Sequence, residues 1–223
     1  MKRNDKKILP ADLPLQPQEV LDLFYPSSDW EERYETIVDE TGEEYSHQPS
    51  IGRGIAAVLR FLKPMFNAHS VLDLGTCLGY SARVLAELVG PDGEVLTIER
   101  DPLLANHAEQ NLKEDGMGSR VRVLRGDARS LMNQLVGPFD LILLDFEKTL
   151  YSEFYDDLIM RLRPGGYLIA DDISFLTMNH PSQLNHPRGI ADFVNILLAD
   201  SRLETIFLPL GDGVTISRKQ MKS

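Results

Sequence analysis

A chain of 223 residues, 43% hydrophobic and 26% charged, can bury a substantial core and has the composition of a globular protein. Its net charge of −11 repels phosphate backbones, which sets nucleic acid aside as a partner, and no apolar run approaches the ~20 residues needed to cross a bilayer. With one cysteine, Cys77, there is neither an internal disulfide nor a cysteine-based metal cluster, and the absence of a hydrophobic signal segment after "MKRNDKK" makes the cytoplasm the expected location.

Residues 1–47 are spotted with prolines and strongly acidic. Between Asp29 and Glu44 eight carboxylates face a single arginine, Arg33. This stretch reads as an N-terminal extension with one or two short helices. The basic residues clustered at the two ends read as solvated tails. From Ser50 onward Ile51, Ile55, Val58, Leu59 and Leu62 recur at helical spacing, and Pro64 is expected to stop that helix.

Strands and helices then alternate. "SVLDLG" (70–75) reads as a strand, "YSARVLAELV" (80–89) as a helix and "EVLTIE" (94–99) as a second strand. A helix over 102–115 ends near Gly116. "RVRVLRG" (120–126), "FDLILLD" (139–145) and "YLIAD" (167–171) are further strands, the last preceded by a helix, "YSEFYDDLIMRLR", that Pro164-Gly165-Gly166 should terminate. This βαβα rhythm predicts an α/β fold, a doubly wound and mostly parallel sheet with helices on both faces. "LETIFLPL" and "GVTISRK", joined through Gly211-Asp212-Gly213, predict an antiparallel hairpin at the sheet edge. With no internal repeat and no low-complexity linker, residues 48–223 read as one domain.

In such sheets ligands bind beyond the carboxyl ends of the strands. The first strand ends in "DLGTCLGYS", a glycine loop in which Cys77 stands where a dinucleotide fingerprint needs its second glycine. A loop without that glycine suits S-adenosylmethionine better than a dinucleotide, because that cofactor has no pyrophosphate to cradle. Glu99 ends the second strand, where a carboxylate can accept hydrogen bonds from both ribose hydroxyls. Asp127, in "RGDA", ends the third and can reach an adenine amino group, although Gly-Asp is also ordinary turn chemistry.

The fourth strand ends at Asp145 and the fifth at Asp171-Asp172. Neighbouring strands lie ~4.8 Å apart, so three carboxylates can surround one point, and oxygen-only ligation selects a hard cation such as Mg²⁺, Ca²⁺ or Mn²⁺. Side-chain alternation offers a competing arrangement, with Asp172 capping the next loop and only Asp171 pointing inward, unless the chain turns there. Lys148 is either an ion-pair partner of Glu147 or Asp171 or, with its pKa lowered by a nearby cation, a general base. His47, His107, His180 and His186 have no partner at recognisable spacing.

Together "VLDLGTCLGYSA", "LTIERDP", "RGDA", "FDLILLDFEKTLYSEFY", "LRPGGYLIADDI" and "LPLGDGVTISRK" resemble the cation-dependent O-methyltransferases, which include catechol and caffeoyl-coenzyme A O-methyltransferases, over about residues 48–218. The resemblance implies a Rossmann-like class I methyltransferase fold of seven strands. It implies that Asp73, Gly75, Thr76 and Ser81 contact the methionine part of S-adenosylmethionine, Glu99 the ribose, and Asp127 with Ala128 the adenine. Asp145, Asp171 and Asp172 take the metal-ligand positions, Lys148 that of the general base, and Arg53-Gly54 resembles the substrate-side segment. The implied substrate is a catechol-like aromatic small molecule, residues 1–47 lie on the substrate side, and homodimers are common among such proteins. One departure stands out: the family usually has Asp-Asn where this chain has Asp171-Asp172. Asp172 then binds the metal more strongly, stays protonated, or turns away. The competing functions are a metal-independent methyltransferase acting on another hydroxylated natural product or a tRNA base, and a cofactor-binding protein without catalysis.

Overall fold

The computed structural model describes residues 17–26, 31–38, 42, 44–46, 51–174 and 186–221. In chain order the elements are helix α1 (Pro17–Phe24), a 3₁₀ turn (Glu31–Tyr34), and strands β1 (Thr36–Val38) and β2 (Glu44–Ser46), paired antiparallel. Helix α2 (Arg53–Phe66), β3 (Ser70–Leu74), α3 (Tyr80–Val89), β4 (Glu94–Glu99), α4 (Pro102–Glu114), β5 (Val121–Arg125), the single turn α5 (Ala128–Leu131) and β6 (Phe139–Leu144) follow. The chain continues through α6 (Tyr151–Arg161), β7 (Leu162–Ala170), α7 (His186–Ala199), β8 (Leu203–Leu208) and β9 (Val214–Lys219).

Seven strands form one sheet in the order β5-β4-β3-β6-β7-β9-β8. The first five in that order run parallel, while β9 lies antiparallel between β7 and β8. The predicted mostly parallel sheet with a C-terminal hairpin is therefore the observed one, and the last strand inserts so that β8 becomes the edge. Alternation along each strand divides the core between the two faces. Val71, Leu141, Leu143 and Ile169 pack with Leu59, Leu85 and Leu112 of α2, α3 and α4. Leu72, Ile142, Leu144 and Leu168 pack with Met132, Leu158 and Phe193 on the α6–α7 side. Leu141–Leu144 are all fully buried, at roughly 1.5–3 kcal/mol for each large apolar side chain, which is why this run has no polar alternation.

Three boundaries differ from expectation. Pro64 lies inside α2, which continues to Phe66 and ends at Asn67 in the left-handed region (φ 42°), whose N–H bonds to the Lys63 carbonyl. A proline so close to the end removes one intrahelical bond, and continuing buries Phe66 edge-on against Tyr167, 4.9 Å between ring centres. Helix α6 stops at Arg161, before the Pro-Gly-Gly segment. That segment belongs to β7, whose register against β6 jumps from Phe139↔Leu162 to Leu141↔Tyr167, so the intervening residues bulge. Helix α7, the turn α5 and the β1–β2 pair were not expected from the sequence.

Candidate active site

The strand registers line up five chain ends. Leu74 pairs with Ile98 and with Leu144, Leu144 with Ala170, and Glu99 with Arg125. Beyond these positions Gly126, Glu99, Gly75, Asp145 and Asp171 stand in a row across the sheet, with the order reversal falling between β3 and β6, where ligands bind in such folds. Backbone bonds from Asp145 N–H to the Leu74 carbonyl (2.9 Å) and from Asp171 N–H to the Leu144 carbonyl (3.0 Å) set these ends side by side. Gly75, at φ 110°, makes this closeness possible: a Cβ there would lie 2.0 Å from the Asp145 carbonyl oxygen.

A cleft of about 210 Å³ opens over this row, lined in part by Gly75, Cys77, Glu99, Asp127, Ala128 and Asp145. Glu99 is buried and spans the glycine loop and the next turn, one carboxylate oxygen accepting from Cys77 N–H (2.8 Å) and the other from Asp101 N–H (2.9 Å). Asp127 caps α5 through Arg129 N–H (2.8 Å) and also lines the cleft, so its turn chemistry and its place at the site coexist. Burial pushes the Cys77 thiol up to about 12, which keeps it a neutral wall of the cleft and no nucleophile.

Asp73, Thr76 and Ser81 are fully buried and are joined through Thr97. Ser81 and Thr97 hydroxyls each donate to the same Asp73 oxygen at 2.9 Å, and the Thr76 and Thr97 hydroxyls are 2.6 Å apart. The other Asp73 oxygen, Oδ1, is buried without a hydrogen-bond partner. Burial raises the Asp73 carboxyl to about 7 against the pull of the Thr97 and Ser81 hydroxyls, with the Asp145 and Glu99 carboxylates adding to the rise. An unpaired buried acceptor beside the glycine loop suits the ammonium group of an amino-acid ligand, so the residues fit the methionine end of S-adenosylmethionine.

Across the cleft one ammonium serves two of the three carboxylates. Lys148, in a 3₁₀ turn at the start of α6, is buried, and its Nζ lies 2.7 Å from Asp145 Oδ1, 3.2 Å from Asp172 Oδ2 and 3.0 Å from the Tyr151 hydroxyl. Asp172 reaches it because the chain turns: its φ is +55°, so the alternation that would send it outward is broken. Asparagine and aspartate are the side chains that enter this region most readily, so either suits the backbone at this position. Burial alone would lower the Lys148 amine, but the Tyr151 oxygen and the Asp145 and Asp172 carboxylates outweigh it and hold the amine well above its ordinary value. Burial, with the Asp145 and Asp172 charges, pushes Asp171 up to about 8. Burial and Asp172 likewise raise Asp145, opposed by Lys148.

Among the described residues no three acidic, histidine or thiol groups form a ready-made cation cage. The donor chemistry still fits a hard divalent ion, being all oxygen with more negative charge than one ammonium balances. Sequence reasoning passed over Tyr151, whose hydroxyl accepts from Lys148 and donates to the Leu144 carbonyl at 2.8 Å; its signal was the three-residue spacing from Lys148. Arg53 opens α2 and donates to the Tyr25 carbonyl (3.1 Å), while Gly54 faces Leu21, so this pair joins α1 to α2. His107 is half-buried on α4, away from the cleft lining, and His47 and His180 fall outside the described residues.

The profile of the O-methyltransferase family matches residues 26–220. A catechol O-methyltransferase from Niastella koreensis is 34% identical over 119 residues, 52% of this chain and 54% of that protein. A protein-L-isoaspartate O-methyltransferase from Methanopyrus kandleri is 38% identical over 127 residues, 53% of this chain and 54% of that one, so the match spans about half the length of each of these two relatives. A caffeoyl-CoA O-methyltransferase from Eucalyptus gunnii is 26% identical over 72% of this chain and 70% of its own. Among solved structures, an O-methyltransferase from Bacillus cereus in complex with SAH superposes with a TM-score of 0.73 at 23% identity, covering 91% of this chain and 96% of that one. An SAH-bound methyltransferase from Podospora anserina gives 0.74 at 21% identity, covering 95% and 100%.

Proposed function

The chain belongs to the O-methyltransferase family, and on that premise we propose that it moves a methyl group from S-adenosylmethionine to one hydroxyl of a catechol-like, vicinal dihydroxy aromatic small molecule, assisted by a divalent cation such as Mg²⁺. The observation that carries this reading is a single cleft whose lining joins the glycine loop, Glu99 and Asp127 to Asp145, and through Asp145 to Lys148 and Asp172.

When bound, S-adenosylmethionine supplies an electrophilic sulfonium methyl. Glu99 accepts from the ribose hydroxyls with the lone pairs its two backbone bonds leave over, Asp127 and Ala128 border the adenine, and Asp73 pairs with the amino-acid ammonium. Glycine at position 75 lets the backbone approach the ligand. A divalent ion, held by Asp145, Asp171 and Asp172, would supply the positive charge that acidifies a phenol. Lys148 Nζ then receives the acceptor hydroxyl's proton. It can do so only after losing its own, which requires Asp145 and Asp172 to be engaged elsewhere. Positioning of two reactants across the row of strand ends is the largest contribution the protein makes.

The test is an incubation with S-adenosylmethionine and a panel of vicinal dihydroxy aromatics, with Mg²⁺ and with EDTA, read by mass. A monomethylated product that disappears in EDTA and returns with Mg²⁺ supports the reading. Undiminished product in EDTA removes the cation, and an absence of product from a protein that binds S-adenosylhomocysteine removes the acceptor class.

A further inference from the structure

The acidic stretch singled out in the sequence has no part in the chemistry above, yet it reaches the glycine loop. Glu31, a carboxylate only 6% exposed, accepts a hydrogen bond from the hydroxyl of Tyr80 at 2.9 Å. Tyr80 is the first residue of α3, directly after Gly79 of the loop. Tyr34 is fully buried and packs edge-on against Tyr80, 6.0 Å between ring centres. Between them the carbonyl of Arg33 accepts from the side-chain amide of Asn111, and the same amide nitrogen donates to the carbonyl of Leu78, both at 3.1 Å. One buried amide on α4 therefore ties the backbone of the N-terminal segment to the backbone of the loop. The far side of the segment is fastened too, Tyr34 and Arg33 both reaching Asp115 at the end of α4.

The loop needs such support. Cys77 has a positive φ of 50°, a conformation that costs a residue with a Cβ and persists only when its surroundings hold it. Strand β4 holds its first half, through Ile98 at Gly75 and Thr76 N–H and Glu99 at Cys77 N–H, while the ties at Leu78 and Tyr80 lead to the N-terminal segment.

We propose that Glu31–Tyr34 is a strap that positions the glycine loop, and that Glu31 and Asn111, acting through Tyr80 and Leu78, set the affinity for the adenosyl cofactor without touching it. The inference deepens the cofactor reading and rests on it. The experiment is calorimetric titration of the full chain with S-adenosylhomocysteine, comparing wild type with Glu31→Met, Tyr80→Phe, their double variant and Asn111→Leu, together with steady-state kinetics. Loss of a hydrogen bond to a buried carboxylate predicts an affinity about tenfold weaker for Glu31→Met, which has no acceptor, and for Tyr80→Phe, which has no donor. The double variant should lose less than the two single losses added together, because both remove the Glu31–Tyr80 hydrogen bond. KM for S-adenosylmethionine should rise while kcat and the acceptor KM hold. Wild-type affinity in both Glu31→Met and Tyr80→Phe overturns the strap, whatever becomes of Asn111→Leu, which removes two buried donors at once. A wild-type chain that binds no S-adenosylhomocysteine overturns the cofactor reading and the strap with it, a result distinct from the first.

Discussion

On the β3–β4 side of the cleft, Asp73 and Glu99 are held by neutral donors: two hydroxyls for Asp73, two backbone amides for Glu99. On the β6–β7 side, Asp145 and Asp172 lean on the single ammonium of Lys148, and Asp171 is raised to about 8. The same residue type thus meets opposite surroundings a few strands apart. The first half is a formed polar cradle with one acceptor, Asp73 Oδ1, left over. The second sets three carboxylates against one ammonium, and burial together with their mutual repulsion raises Asp145 and Asp171. A cradle of neutral donors selects a ligand by shape, whereas a surplus of charge asks for a counter-ion.

The two halves meet at Gly75, so Gly75→Ala should damage both. Its Cβ would strike the Asp145 carbonyl, and a loss of ~4 kcal/mol or more is expected, visible as a collapse of the melting temperature. A fully stable variant would show that the halves are not in contact. Next in size, Lys148→Met should lower kcat roughly 10²–10⁴-fold while S-adenosylhomocysteine affinity stays near wild type. Equal loss of both would dissolve the division between the halves.

Asp73→Asn should act in the reverse sense, weakening S-adenosylhomocysteine by about tenfold while raising the melting temperature of the ligand-free protein at pH 8, since it removes a buried charge. The pH dependence separates the halves again. Asp73 and Asp171 have folded-state values of about 7 and about 8, above the ordinary 3.8, so each favours the fold most when protonated. The stability they contribute is complete below their ordinary value and is lost as pH rises through 7 and 8. The melting temperature of the ligand-free protein should therefore fall between pH 5 and 9, by an amount that Mg²⁺ reduces through Asp171 and S-adenosylhomocysteine reduces through Asp73; neither ligand altering the slope would refute both assignments. The smallest effect is expected from Asp172→Asn. The replacement tolerates the same left-handed backbone and offers a carbonyl oxygen, so turnover should stay within about threefold, whereas Asp172→Ala adds ~1–2 kcal/mol of backbone strain. A large loss in Asp172→Asn would give the second carboxylate a role of its own.

Much of this protein is legible along the chain because its signals are local. Helix α3 and strand β4 coincide with the spans read from periodicity, and Glu99, Asp145 and Asp171 could be placed at strand ends by counting. Where a boundary depends on a distant partner, counting misleads. Pro64 is a stop signal overridden by the burial of Phe66 against Tyr167, a contact between residues about a hundred positions apart. Helix α7, by contrast, was legible and missed: Ile190, Phe193 and Leu197 stand at helical spacing behind Asn185-His186-Pro187, an asparagine and an early proline that mark a helix start.

The amino-acid sequence by itself determined the alternation of strands and helices, the glycine loop and the carboxylates that end each strand, because hydrophobic period and turn chemistry act over a few residues. Only the tertiary structure decided that Asp172 turns back toward Lys148 and that Glu31 reaches Tyr80 across 49 positions. Each of these depends on a backbone angle or a long-range approach, and neither leaves a period in the sequence to be read.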